Sequence, residues 1–348
     1  MGLKVLKFGG SSVADGIQLQ KMKRIIDADP DRRYVVASAP GKRFEIDNKV
    51  TDLLYLCKTH MEQNLPYDQV FQVIKDRFNA VKLNLSIDAD MEIHFEEILT
   101  NMKKGCSKDY IASRGEYLSA VLVAAYLEVD FVDAAGMILF DEKGRLLFDE
   151  TDNAISAELS KHKRAVIPGF YGTDVETGEI RTFSRGGSDI TGALVAKAMG
   201  AEVYENWTDV SGVLMADPRI IPNPLPIEVI NYNELRELSY MGASVLHEEA
   251  VFPVALKKIP IQIRNTNRPE DVGTIINNSD EGAFKHVITG IAGKKDFSII
   301  TIRKVRMSNE VGLIRKALSV FEDYNVSIEH IPSGVDSFSV VVETKAVK

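Results

Sequence analysis

Cysteine is scarce in this sequence: Cys57 and Cys106 are the only two in 348 residues. They form no CxxC pair, so no disulfide framework or thiolate metal site can be built on them. Two free thiols point to a reducing compartment, the cytoplasm. Long apolar runs are also missing. The longest, Ala120 to Leu127, is far shorter than the roughly 20 residues a bilayer requires. The first residues, MGLKVLKFGG, carry Lys4 and Lys7 inside the apolar stretch and turn at once into glycines. That reads as a core strand and not as a targeting segment. Positive charge is not in excess: 42 Lys and Arg stand against 50 Asp and Glu, a formal net charge of −8. A basic footprint for nucleic acid is therefore absent. The six histidines show no metal-ligand spacing, and His247, after an apolar run, reads as a packing residue. Internal repeats and low-complexity tracts are also lacking.

What is present fits a soluble globular chain of about two domains, with 45% hydrophobic and 26% charged residues. Leu3 to Phe8 reads as a buried strand, Val13 to Ala28 as a helix and Tyr34 to Ser38 as a second strand. This β-α-β order predicts a mostly parallel sheet sandwiched by crossover helices, an α/β fold. Residues 42–47 form a charged loop. A helical pattern runs from Lys49 to Lys104, punctuated by Pro66 and the Asp88 region, and Ser113 to Leu127 predicts a helix with Glu116 in its first turn. A short strand is read at Phe131 to Asp133. Hairpins are expected over Ile138 to Phe148 and Tyr171 to Phe183, with a core strand at Ala165 to Ile167 between them. Further strands fall at Glu202 to Glu205 and Ile261 to Ile263. A polar linker near 277–285 sets a domain boundary at 280/281. Beyond it come strand Ser298 to Ile302, helix Glu310 to Tyr324, and strands Val326 to Ile328 and Phe338 to Val342, a small α+β module.

Two segments carry chemistry. Lys7-Phe8-Gly9-Gly10-Ser11-Ser12 places glycines, hydroxyls and a cation between a strand and a helix. Glycine permits close backbone approach, and the N–H groups of the following helix face an anion. By itself this stretch reads either as an anion site or as an ordinary strand-to-helix turn, and it is not a Walker A loop. The second segment, Thr182 to Thr191, repeats Gly-Gly-Ser behind Arg185 and adds Asp189. Two such turns at strand ends of one sheet point to a bipartite site for two anionic reactants.

KFGGSS, SRGE (Ser113 to Glu116), FSRGGSDITGALVA, WTDVSGVLMADPR, YMGASVLH and IPIQIRNT together resemble the aspartate kinases of the amino-acid-kinase fold. The likeness spans essentially the whole chain in order. It implies ATP-dependent phosphorylation of the L-aspartate side chain, the first step of lysine, threonine and methionine biosynthesis, with Mg²⁺ carried by the nucleotide and no resident metal. It implies Lys7 and Asp189 as catalytic residues. Thr51, Glu116, Arg185, Gly186, Gly187 and Ser188 would bind substrate, Arg185 at its α-carboxylate and Glu116 at its ammonium. Lys7, Gly9, Gly10, Ser11, Thr208, Asp209, Leu214, Asp217, Arg219 and Ser244 would bind ATP. Leu214 stands where some relatives have an aromatic, and Ser244 where many have a lysine.

The last region, 281–348, resembles an ACT module that stops after β-α-β-β, which implies either a fragment lacking the rest of that module and a second one, the favoured reading, or ends supplied by another chain. An effector, lysine or threonine, would meet Met307, Ser308, Asn309, Val326, Ser327, Glu329 and Ser333. A homodimer is expected. Two other readings stay open: an inactive kinase fold that senses an amino acid, and a same-fold kinase acting on glutamate.

Overall fold

The computed structural model describes residues 2–184, 186–242, 246, 248–278 and 287–347, with backbone alone at 248–251. Arg185, Ser244, His247 and the expected boundary at 280/281 lie outside the described residues. The chain forms two compact units, Met1–Ala292 and Gly293–Lys348.

The first unit begins with β1 (Lys4–Phe8), α1 (Gly16–Asp27) and β2 (Arg32–Ala37). Asp15 caps α1 by accepting a hydrogen bond from the Gln18 N–H at 3.0 Å, and Leu19, Met22, Ile25 and Ile26 form the buried stripe. The long helical pattern resolves into α2 (Val50–Glu62), α3 (Asp68–Asn84) and α4 (Met91–Lys103), followed by α5 (Lys108–Leu127). Next come β3 (Asp130–Phe131), β4 (Leu139–Phe140), α6 (Phe148–Leu159), β5 (Ala165–Pro168), β6 (Tyr171–Asp174), β7 (Ile180–Thr182), α7 (Gly187–Ala198) and β8 (Val203–Thr208). β9 (Val229–Asn231), α8 (Tyr232–Tyr240), α9 (Glu248–Leu256), β10 (Ile261–Asn265) and β11 (Thr274–Asn277) complete the unit.

Eight strands make one sheet in the order β3-β5-β2-β1-β8-β10-β11-β9, and every pairing is parallel except β10 with β11. β1, β2, β5 and β8 are buried over nearly their whole length. That is why Tyr34 to Ala37 and Ala165 to Pro168 read as continuous apolar runs instead of alternating ones, while β8 buries Glu205 and Asn206 as well. Six neighbouring strands run the same way, so their carboxyl ends, and the loops after them, share one edge of the sheet. Among the described residues no helix is long and apolar enough to cross a membrane.

Three expectations change. Glu116 is not in a first turn. Ser107 caps α5 by accepting from the Tyr110 N–H at 3.1 Å, so the helix starts at Lys108 and Glu116 sits in its buried middle. The stretch 138–148 is not a simple hairpin: β4 pairs in parallel with β6, the return is a single bridge between Phe140 and Leu146, and Phe148 already opens α6. The hairpin of β6 and β7 does form.

In the second unit, β12 (Phe297–Arg303) pairs antiparallel with β13 (Ser337–Glu343), and α10 (Leu313–Asp323) lies between them in sequence. The third correction falls here. Residues 326–328 form no strand; pairing to β13 starts at Glu329, whose N–H donates to the Val341 carbonyl at 2.9 Å, and continues at His330 and Ser333. Met307, Phe338, Val340 and Val342 are its buried core, with Leu313, Leu318 and Val326 packed around them.

Candidate active site

At the carboxyl edge of the large sheet the loops enclose a cleft of about 560 Å³. The end of β1 and the turn after it supply Lys7, Gly10 and Ser11, the loop after β2 supplies Ser38 to Lys42 and Lys49, and the first turn of α2 supplies Thr51. Helix α5 supplies Glu116, the turn after β5 Phe170, the start of α7 Gly186 to Asp189, and the end of β8 Asp209. The two glycine turns singled out in the sequence therefore face one space.

The loops can meet because their crossing points carry no side chains. A Cβ on Gly10 would stand 2.9 Å from the Ala39 carbonyl oxygen, and one on Gly41 would stand 2.7 Å from the Gly10 carbonyl carbon. The Gly41 N–H donates to the Gly10 carbonyl at 2.8 Å and locks the two loops together. Gly186 adopts φ +59°, the left-handed region that glycine enters without strain, and from there the chain enters α7.

Lys7 is buried near the end of β1, beside Asn206 on β8. Its Nζ lies 2.6 Å from Asp189 Oδ1, and Asn206 Nδ2 donates to the same oxygen at 2.9 Å. The Tyr204 hydroxyl donates to the Asp189 carbonyl at 3.1 Å and steadies the first turn of α7. Thus two adjacent strands hold one carboxylate of a helix start, and that carboxylate holds the lysine. Asn206 was not legible as a site residue. Its signal was the strand register, which sets it next to Lys7.

Glu116 is a different kind of charge. Burial pushes its carboxyl up to about 8, opposed by the Ala39 backbone N–H. Its Oε2 is buried and has no hydrogen-bond partner. A buried oxygen left unpaired costs free energy unless a ligand supplies the donor. Since Glu116 lines the cleft, a cationic group of a bound molecule would supply it.

Of the remaining expected residues, Thr51, Gly186, Gly187, Ser188, Gly10, Ser11 and Asp209 line the cleft. The Gly9 N–H is used by the Trp207 carbonyl at 2.9 Å, and the Thr208 hydroxyl donates to Asp209 Oδ1 at 3.2 Å. Leu214 bridges to Pro226, and Asp217 and Arg219 clasp each other with Arg219 reaching into solvent. These three are not among the residues lining the cleft. The expected effector residues all belong to the second unit, where Met307 and Val326 are part of its small core. Ser38, Lys42, Lys49 and Phe170 line the cleft without having been singled out.

This arrangement, with glycine turns, a fixed lysine and a carboxylate at the carboxyl edge of a parallel sheet, defines a small-molecule phosphotransferase class. The amino acid kinase family matches residues 2–265. Aspartokinase 3 of Bacillus subtilis is 36% identical, over 98% of this chain and 78% of the relative. The crystal structure of Clostridium acetobutylicum aspartate kinase superposes with a TM-score of 0.90 at 49% identity, covering all of this chain and 79% of that one. Escherichia coli aspartokinase III in complex with aspartate and ADP shares the fold, with a TM-score of 0.81 at 24% identity over 99% of this chain and 79% of that one. The chain belongs to the amino acid kinase family, as one of its aspartokinases.

Proposed function

We propose that the protein transfers the γ-phosphoryl group of ATP to the side-chain carboxylate of L-aspartate, giving 4-phospho-L-aspartate and ADP. The observation that carries this reading is the Lys7–Asp189 pair, 2.6 Å apart, in one cleft with the unpaired Oε2 of Glu116. An aspartate side chain has a reference pKa of about 3.9, so the nucleophile is already ionised at neutral pH and needs no base. One of its oxygens attacks the γ-phosphorus as the bond to the bridging oxygen of ADP breaks. What the site must supply is alignment and positive charge. Lys7 supplies the charge, and Asp189 with Asn206 keeps its ammonium aimed. Glu116 takes the substrate ammonium, which removes its own desolvation penalty. Arg185 is assigned the α-carboxylate, Thr51 and the 186–188 backbone the rest of the amino acid, and Thr208 and Asp209 the nucleotide.

Mg²⁺ binds through one or two carboxylates together with substrate phosphates. Asp189 and Asp209 both line the cleft, which suits a metal carried in by ATP. Among the described residues no group of three or more His, Cys, Asp or Glu gathers to hold a resident ion. The remaining assignments complete the reading: a cytoplasmic homodimer whose second unit binds lysine or threonine and lowers turnover.

The test is ADP release with L-aspartate, L-glutamate and no acceptor, repeated with lysine and with threonine. Release dependent on L-aspartate alone is expected. Release with glutamate moves the substrate assignment, and no acceptor-dependent release leaves an amino-acid sensor.

A further inference from the structure

The cleft holds more positive charge than the reading above uses. Its described lining includes three lysines, Lys7, Lys42 and Lys49, against Glu116, Asp189 and Asp209. Lys7 is matched by Asp189. Lys42 and Lys49 form no ion pair with any described residue. The Lys42 ammonium donates to the Glu45 carbonyl of its own loop at 3.1 Å, and an ammonium has two further donors. A nucleoside triphosphate and a dicarboxylic amino acid together bring more negative charge than one lysine offsets.

Both lysines sit on the loop between β2 and α2, and this loop has an unusual anchor. Residues 42–46 are exposed and carry no regular structure. Arg77, on α3, is buried beneath them. Its guanidinium donates to the Gly41 carbonyl, to the Asn48 carbonyl at 2.7 Å and to the Ala14 carbonyl at 3.3 Å. Gly41 is the residue before Lys42, and Asn48 is the residue before Lys49. One rigid fork therefore fixes the backbone at both ends of the loop and ties it to the turn that follows β1. The Asp47 carboxylate, 3.6 Å away, balances the guanidinium and is itself held by Arg43 at 2.8 Å.

We propose that Lys42 and Lys49 are a further pair of ligands for the anionic groups of the reactants, and that Arg77 is the positioning residue that holds both on the cleft. The inference rests on the phosphotransferase reading and adds two binding residues to it.

The test compares Lys42→Ala, Lys49→Ala, the double variant, Arg77→Lys and the triple variant in the full chain. Each lysine variant should lower kcat/KM about tenfold to a hundredfold, the loss of a charge-assisted contact, and Lys→Arg should restore most of it. Because both lysines are exposed, their melting temperatures should stay near wild type. Arg77→Lys keeps the charge but cannot reach three carbonyls; its loss should nearly vanish when both lysines are already alanine, which a purely structural role does not predict. Lysine variants within twofold of wild type, or an Arg77→Lys loss fully retained in the triple variant, would overturn the proposal. Wild type without aspartate-dependent turnover would instead sink the functional reading. In that case thermal shift with inorganic pyrophosphate decides: stabilisation of wild type that is lost in the double variant supports the lysine pair, and equal stabilisation of both refutes it.

Discussion

The two units handle their apolar and charged groups in opposite ways. The first buries a single large core running from Val5 to Ile276, and spends burial on charges as well: Lys7, Arg32, Arg77, Glu116 and Glu205 are all inside. Among its described residues the second buries four side chains, while Ile299, Val311, Val320 and Tyr324 stand largely exposed. A large core can carry the cost of buried charge, and buried charge is where chemistry is tuned. A small one cannot, and it leaves apolar side chains such as Ile299 and Val311 at the surface. Catalysis is thereby expected to depend on single side chains of the first unit and to ignore most substitutions in the second.

The sharpest way to break that contrast is Lys7→Ala. Turnover should fall by about three powers of ten or more with the fold intact, since the developing charge loses its fixed cation; a loss below tenfold in steady-state kcat would remove Lys7 from its role. Glu116→Gln should come next, raising the KM for aspartate about tenfold to a hundredfold with a smaller change in kcat. The same substitution has a signed pH effect. The carboxyl titrates near 8 in the fold against 4.5 in the unfolded chain, so between those values the folded state holds the extra proton. Stability from this group is full below 4.5 and is lost as pH rises through 8. The melting temperature of ligand-free wild type should therefore drop relative to Glu116→Gln between pH 5 and pH 9, and a constant difference across that range would contradict the burial argument. Binding of an ammonium favours the ionised form, so aspartate binding at pH 7 should release protons, measurable by calorimetry in buffers of different ionisation enthalpy.

In the second unit the expected effects are structural. Phe338→Ala removes the largest member of a four-residue core and should destabilise that unit by about 3–5 kcal/mol, seen as a separate early unfolding transition, while kcat without effector stays within about twofold. Loss of kcat on the scale of Lys7→Ala would erase the division of labour. Smallest of all, Ile299→Thr on the exposed face of β12 should shift stability by no more than about 0.5 kcal/mol, checked by denaturant midpoint.

Much of the first unit was legible because its signals are local. Apolar runs at β1, β2 and β5 declare buried strands, and Gly9-Gly10 and Gly186-Gly187 mark the turns. What misled was also local. The helix reads as beginning at Ser113, yet the Ser107 cap lies six residues earlier and draws the helix back to Lys108. In the second unit Val326 to Ile328 has strand composition, but these residues pack on the small core and leave pairing to 329–333.

By itself the sequence determined the alternation of strands and helices and the two glycine turns, because hydrophobic period and turn chemistry act over neighbouring residues; Lys7 and Asp189 are singled out as a pair only through the family resemblance. Only the tertiary structure decided that Asn206 shares Asp189 with Lys7, that one oxygen of Glu116 is left unpaired inside the cleft, and that Arg77 grips both ends of a loop 29 to 36 residues before it. Those facts arise where strand register and helix packing bring distant side chains within bonding distance, and no pattern along the chain encodes such a distance.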